Sequence, residues 1–156
     1  MAHLDPAAPR RIVVGFDGSP TGQRAVRWAA EEAASRGGDV EVIAVRERDE
    51  PLPGTSYAFQ PYGRRPVPDE DSVRTHLHDV VSHITSALGG GGITETVVTG
   101  DPATELLKAS ADADLLVVGS HRRGALSEVL LGSVSASCVR HARCPVVVVP
   151  ATLGAP

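Results

Sequence analysis

Residues 11 to 20 read Arg-Ile-Val-Val-Gly-Phe-Asp-Gly-Ser-Pro, RIVVGFDGSP, and their pattern decides the fold class. The apolar, β-branched run Arg11 to Asp17 predicts a short strand buried on both faces. Gly18 breaks it, Ser19 is placed as a helix N-cap, and Pro20 suits the first helical turn. Val26, Ala29, Ala30 and Ala33 then recur at helical spacing up to Gly37-Gly38, a helix stop signal. Val40 to Val45, VEVIAV, is a second strand. The unit is β-α-β.

Working outward, Arg46 to Pro68 interrupts the rhythm with a proline-rich loop that carries Tyr57, Phe59 and Tyr62. Loops of that length inside a compact domain are uncommon and usually serve as a lid, a partner surface or a disordered segment. Asp69 to Leu88 is helical, with Val73, Leu77, Val80, Val81, Ile84 and Leu88 along one side. Gly89 to Gly92 ends it. Ile93 to Thr99 (ITETVVT) is an alternating third strand, expected nearer a sheet edge. Asp101-Pro102 opens a helix through about Ala111, and Leu115 to Val118 is the fourth strand. A last helix ends near Ala142, and Val146 to Val149 is the fifth strand. Five strands alternating with four helices imply an α/β fold: a parallel sheet, helices on both faces, right-handed crossovers. In such sheets ligands bind beyond the carboxyl ends of the strands. Those ends are Asp17, Val45-Arg46, Thr99-Gly100, Gly119-Ser120 and Val149-Pro150.

Composition narrows the function classes. The chain has 156 residues, 42% of them hydrophobic and 22% charged, which fits one globular domain and excludes wholesale disorder. We expect a flexible tail over 1–10, the domain over 11–150 and a second tail over 151–156. A formal charge of -4 argues against nucleic acid or an acidic membrane surface as main partner. No apolar run approaches the ~20 residues of a membrane span, and Met1 to Arg11 has no apolar core of a signal peptide. A cytoplasmic location is expected. The two cysteines, Cys138 and Cys144, are too few for a disulfide framework or a zinc site and are read as unpaired, partly buried thiols. Lys108 is the single lysine, so Schiff-base and P-loop lysine chemistry would rest on it alone.

The richest segment runs Gly119-Ser-His-Arg-Arg-Gly124, then Gly132-Ser133-Val134-Ser135. A glycine after a strand is expected to turn the backbone sharply toward a ligand. A Gly-Ser opening a helix presents free N–H groups and a hydroxyl to an anion. With His121, Arg122 and Arg123 between them, these residues describe a phosphate cradle. They equally describe an ordinary strand-helix connection with glycines for geometry alone.

The stretches VGFDGSP, GDPATELLKASADADLLVVGS and GALSEVLLGSVSASCVRHARCPVVVVP resemble the universal stress protein family. The resemblance spans Arg11 to Pro150, with Arg46 to Pro68 the least matched part. It implies a Rossmann-like open five-stranded parallel sheet of order 3-2-1-4-5, and a homodimer formed through the last strand, 146–149. Many members bind ATP through a motif of glycine, two residues, glycine, nine residues, then glycine with serine or threonine. Gly119 and Gly132-Ser133 match its ends, while Arg122 stands where the middle glycine belongs. That arginine either fills the phosphate space and strains a turn or swings outward as a bidentate phosphate contact. The resemblance further implies that Asp17 lies near the ribose and the metal-bound phosphates, with Gly15 on the same strand. It implies that the Val45 backbone reads the adenine edge, that Val118 lies below Gly119, and that Val134 and Ser135 continue the helix start. A magnesium ion bridging the phosphates, with Asp17 close by, is expected with ATP. Asp17 alone would read as an Asx-turn or helix cap.

Other residues carry plainer readings. His76, Asp79 and His83 are read as a solvated helix face rather than a metal site. Arg140, His141 and Arg143 complement a helix C-terminus, and Glu31-Glu32 and Asp69-Glu70-Asp71 are helix charges. Trp28 is read as a packing residue. The functional expectation is an adenine-nucleotide-binding stress regulator rather than an enzyme. The alternatives are a slow ATPase, for which His121 is the general base in reach, and an interaction dimer whose pocket Arg122 has closed. A receiver-type phospho-switch is excluded because Thr99-Gly100 stands where its third-strand aspartate belongs.

Overall fold

The computed structural model describes residues 10–48, 67–120 and 131–151. The element order is β1 (Arg10–Phe16), α1 (Pro20–Arg36), β2 (Gly38–Arg46), α2 (Glu70–Leu88), β3 (Ile93–Thr99), α3 (Pro102–Ala109), β4 (Leu115–Gly119), α4 (Ser133–His141) and β5 (Val146–Val149). The strands form one sheet in the order β3-β2-β1-β4-β5, and every pairing is parallel. This is the Rossmann-like topology expected from the resemblance.

β1 lies at the centre because its side chains feed both layers. Ile12, Val14 and Phe16 face the α1 and α2 side, packing with Ala25, Val26, Ala29, Leu77 and Val81. Val13 points the other way, into a smaller cluster with Ile43, Leu106, Leu116, Val118 and Cys138 under α3 and α4. A central strand buried on both faces needs an unbroken apolar run. β3 is an edge strand whose side chains are mostly half-buried, in line with its alternating sequence. Trp28 is partly buried against the larger cluster.

The helix ends follow local chemistry. The Ser19 hydroxyl accepts from the Gly22 amide at 3.0 Å, Asp69 from Ser72 at 2.7 Å and Asp101 from Thr104 at 2.9 Å, each satisfying an otherwise orphan donor. Several boundaries differ from the sequence reading. β1 begins at Arg10, because Gly38 already pairs with it; a Cβ on Gly38 would sit 2.6 Å from the Arg10 carbonyl oxygen. β1 ends at Phe16 because the Asp17 carboxylate accepts from the Ser19 amide at 2.9 Å and turns the chain. α3 stops at Ala109, and β4 includes Gly119.

The amino edge of the sheet is closed by charge. Arg11 pairs with Glu41 at 2.7 Å and with Asp112, Thr96 donates to Glu41 at 3.0 Å, and Asp114 accepts from the Arg11 amide at 2.9 Å. The opposite edge, where α1 and α4 begin, has no such network among the described residues. The tail over 1–9, most of the proline-rich loop (49–66) and residues 121–130 and 152–156 lie outside the described residues.

Candidate functional site

The strand order reverses between β1 and β4: the chain leaves β1 for β2 on one side and returns to β4 on the other. The crevice past the carboxyl ends of these strands is the topological switch point, where ligands of doubly wound sheets bind. Register places Gly15 level with Ile43 and Phe16 level with Ala44, so Val45 reaches one residue further along β2. Gly119 is level with Val149 on β5.

Asp17 is exposed at this edge. Its Oδ1 accepts from the Ser19 amide at 2.9 Å and also from the Ser19 hydroxyl. The Asx-turn reading and the edge position therefore hold together. Gly22 makes room for this arrangement, since a Cβ there would lie 2.7 Å from Asp17 Oδ1. The sequence reading missed Gly22, and its signal was a glycine inside a helix's first turn, where alanine would form helix more readily. Gly18 has φ +83°, a left-handed turn that favours glycine.

The glycines Gly15 and Gly119 serve close packing. A Cβ on Gly15 would lie 2.6 Å from Leu106 Cδ1, so this glycine lets α3 approach the sheet. A Cβ on Gly119 would meet Thr21 Cγ2 at 2.7 Å and the Thr21 carbonyl carbon at 3.3 Å. Gly119 is also absent from the glycines with left-handed backbone. Its reading as the residue that turns the chain is therefore corrected: it ends β4 in strand geometry and admits the start of α1. Val118 is buried and Val45 half-buried, both facing the α3/α4 side.

The start of α4 is tied back to β4. The Gly132 amide donates to the Ser120 carbonyl at 2.7 Å, and the Ser135 hydroxyl lies 3.1 Å from the carbonyl oxygens of both Ser120 and Gly132. Ser135 is only 2% exposed, so its hydroxyl acts as a fastener rather than a free ligand contact. Gly132 caps α4 without a side-chain hydrogen bond. The amides of Ser133, Val134 and Ser135 consequently have no side-chain acceptor, at the positive end of the helix dipole. The Ser133 side chain is exposed beside them, while Val134 is half-buried. An uncapped helix start built of N–H donors suits an anion. Arg122, His121, Arg123 and Gly124 lie outside the described residues, and with them the two consequences weighed for Arg122 and the general base of the ATPase reading.

Elsewhere the plainer readings fit. His76, Asp79 and His83 are exposed on α2, and the His76 ring rests on Phe16 with centroids 5.6 Å apart. No group of three or more metal-ligating side chains occurs among the described residues. A surface groove between α1 and α2, lined by Gln23, Arg24, Arg27, His76 and His83, includes no residue of β4 or α4. Cys138 and Cys144 are free. Burial, reinforced by the neighbouring Cys144, pushes the Cys138 thiol up to about 11, and burial raises Cys144 as well. Both are therefore protonated and poorly nucleophilic at neutral pH. Among the described residues no helix is long and apolar enough to cross a membrane.

Fold and crevice define a doubly wound parallel α/β domain with a switch point between β1 and β4. Comparison with known proteins makes the class specific: the universal stress protein family matches residues 9–150, and the chain belongs to that family. Universal stress protein Rv2005c of Mycobacterium tuberculosis is 35% identical over 141 residues, 88% of this chain and 44% of the relative. Universal stress protein Rv2623 of the same organism is 35% identical over 145 residues, covering 88% of this chain and 46% of the relative. This chain thus spans about half the length of these curated relatives. Among solved structures, a universal stress protein in complex with cAMP is 26% identical with a TM-score of 0.66, covering 92% of this chain and 98% of that one. The universal stress protein from Archaeoglobus fulgidus is 26% identical with a TM-score of 0.61, covering 90% and 93%.

Proposed function

We propose that the crevice between β1, β4 and the start of α4 binds an adenine nucleotide, ATP in preference, and that the chain is a nucleotide-responsive regulatory module of the stress response. The observation that carries this reading is the uncapped start of α4, held against β4 by the Gly132–Ser120 and Ser135–Ser120 hydrogen bonds. Three helix-start amides without a side-chain acceptor, on a fastened helix end, form a donor set that suits a phosphate. The solved relative that holds cAMP supports an adenine nucleotide as the anion's carrier.

In this reading Ser133 adds a hydroxyl to the amides of Ser133, Val134 and Ser135, and Gly119 with Val118 forms the floor. The Val45 backbone offers the adenine edge its hydrogen bonds. The donor set at α4 is all N–H and O–H, which suits anions and not a bare cation. Magnesium would therefore be held chiefly by the phosphates, with Asp17 as the carboxylate at hand, because it prefers an octahedral set of oxygens. When bound, the ion neutralises phosphate charge. Asp17 Oδ1 is engaged by Ser19, which fixes the carboxylate's orientation toward the edge. No catalytic residue is assigned, in keeping with a binding role in the cytoplasm.

The last strand of the sheet, β5 with its four consecutive valines, is the element through which two copies pair as a homodimer. An apolar edge strand left open is a template for pairing. The test of the nucleotide reading is the content of the purified protein: heat denaturation, then anion-exchange chromatography of the supernatant. Co-purified adenine nucleotide is the expected result. A clean supernatant together with no heat of binding on titration with Mg-ATP would overturn the reading.

A further inference from the structure

On the α2 side of the sheet, β3 carries a carboxylate where its neighbours carry apolar side chains. Side chains of a strand alternate between faces, so Ile93, Glu95 and Val97 point the same way. Ile93 and Val97 pack on the cluster that contains Leu77, Val81 and Ile84 of α2. The Glu95 side chain between them is 25% exposed and directs both oxygens at His78, whose Nδ1 lies 3.1 Å from Oε1 and 3.2 Å from Oε2. Ser82 follows His78 by one turn of α2, the spacing that brings two helix side chains together. Its Oγ lies 3.3 Å from the other ring nitrogen, Nε2. Carboxylate, imidazole and hydroxyl thus form one chain of hydrogen bonds, in the order Glu95, His78, Ser82.

That order has a chemical consequence. A carboxylate accepts hydrogen bonds and does not donate them, so in the neutral ring the proton sits on Nδ1, facing Glu95. The lone pair of Nε2 is then turned to Ser82, the tautomer that a general base needs. A separation of 3.3 Å falls in the looser range of nucleophile–base pairs without substrate. Ser82 is half-buried and His78 exposed, so a small reactant reaches both from solvent. Ser82 lies in the second half of α2, away from that helix's own start and its amide donors. Such a set suits acyl donors whose leaving group departs readily without an oxyanion hole.

We propose that Ser82 is a nucleophile for acyl transfer from small, neutral, activated esters, with His78 as its general base and Glu95 as the residue that positions the ring. The site shares no residue with the nucleotide crevice, and the proposal does not depend on that reading. Ser82 Oγ bonds to the acyl carbon while its proton passes to His78 Nε2. The bond from the acyl carbon to the leaving oxygen then breaks, and that oxygen takes the proton from Nε2. A water molecule attacks the acyl-serine in turn, giving its proton to Nε2. The bond to Ser82 Oγ breaks, Oγ regains the proton, and the carboxylic acid departs. One ester and one water become one acid and one alcohol.

The test treats wild type, Ser82→Ala, His78→Gln and Glu95→Gln with p-nitrophenyl acetate. It reads p-nitrophenol release and, by peptide mass spectrometry of quenched samples, acetylation at Ser82. Alanine and glutamine are good helix formers and Glu95→Gln keeps the side-chain shape, so the variants are expected to unfold at temperatures close to wild type. Wild type is expected to gain an acetyl group on Ser82. His78→Gln should slow that acetylation about a hundredfold, the low end for general base catalysis, and Glu95→Gln at least about tenfold. Ser82→Ala should slow p-nitrophenol release and remove the adduct. Nitrogen NMR of the neutral His78 ring separates positioning from a merely structural role. The proton should sit on Nδ1 in wild type and shift toward Nε2 in Glu95→Gln, whose amide can donate to Nδ1. No acetyl group on Ser82, acetylation unchanged by His78→Gln or by Glu95→Gln, or a wild-type ring protonated on Nε2 would each overturn the proposal. The adduct and the ring tautomer of wild type decide the matter even where a variant unfolds.

Discussion

Replacing Gly119 with alanine tests how closely α1 docks on β4. The added Cβ would stand 2.7 Å from Thr21 Cγ2 and 3.3 Å from the Thr21 carbonyl carbon, far inside normal carbon contact on the first atom. Overpacking of this kind costs about 1–3 kcal/mol. Alanine also restricts the unfolded chain, which returns about 0.4–1 kcal/mol. The net destabilisation is therefore roughly 0–2.5 kcal/mol, or a fall of about 2–4 °C in Tm per kcal/mol for a chain of this size. The partner change is Thr21→Ser, which deletes the colliding methyl and leaves the backbone contact. Alone it costs about 0.8 kcal/mol for one buried methyl. Combined with Gly119→Ala it relieves the clash, so the double variant is more stable than the sum of the two by about 1 kcal/mol. Urea unfolding of the four proteins at one concentration measures the cycle, the fixed concentration holding any contribution from dimerisation the same across the four. A cycle that sums without coupling would refute the close docking of α1 on β4. The same contact makes bulky changes at Gly119 a poor probe of ligand binding.

Gly15→Ala should cost less than Gly119→Ala, because the atom in its way is the tip of the Leu106 side chain, 2.6 Å away, and a leucine tip can rotate; the same urea assay ranks the two. The Ser72 amide holds the Asp69 carboxyl below its usual 3.8, and the Thr104 hydroxyl, with its amide, does the same for Asp101. A lowered folded pKa means stabilisation that is complete above the unfolded value and lost as pH falls through the folded one. Asp69→Asn with Asp101→Asn, caps that do not titrate, should therefore flatten the acid limb of a circular dichroism titration below about pH 4. Cys138, fully buried with its thiol raised to about 11, should resist maleimide at pH 7 in the folded protein and react in urea, while the less buried Cys144 reacts first; mass spectrometry of peptides from timed samples reads the order.

The fold was legible because local signals agreed with one another. The apolar run of β1, the Ser19-Pro20 start and the Gly37 stop of α1, and the Asp69 and Asp101 caps each name an element from chemistry that acts within a few residues. The boundaries that moved depended on distant partners: Gly38 belongs to β2 because Arg10 pairs with it, and no local rule reports that. The candidate site was marked in outline, with Asp17, Gly119 and Gly132-Ser133 singled out by residue type and by family resemblance. What each does there was not. Gly119 looks the same in sequence whether it turns a chain or admits a helix, and only the 2.7 Å approach to Thr21 distinguishes them. Ser135 was marked only as part of the helix start, and that its hydroxyl fastens α4 to Ser120 and Gly132 depends on a contact no local rule reports. Thr21 and Gly22 gave almost no signal, because their meaning lies in what surrounds them: one packs against Gly119 and the other leaves space for a carboxylate.

The central claim is that the start of α4 is a phosphate cradle. Calorimetric titration of wild type and Gly132→Val with Mg-ATP tests it most directly. Gly132 has φ -63° and ψ 167°, a backbone conformation valine adopts without strain, so the variant adds bulk at the helix start without backbone strain. Saturable binding to wild type, with affinity for Gly132→Val lower by at least about tenfold and an unchanged unfolding temperature without ligand, is the predicted outcome. Equal affinities for the two proteins would contradict the claim and move the nucleotide elsewhere.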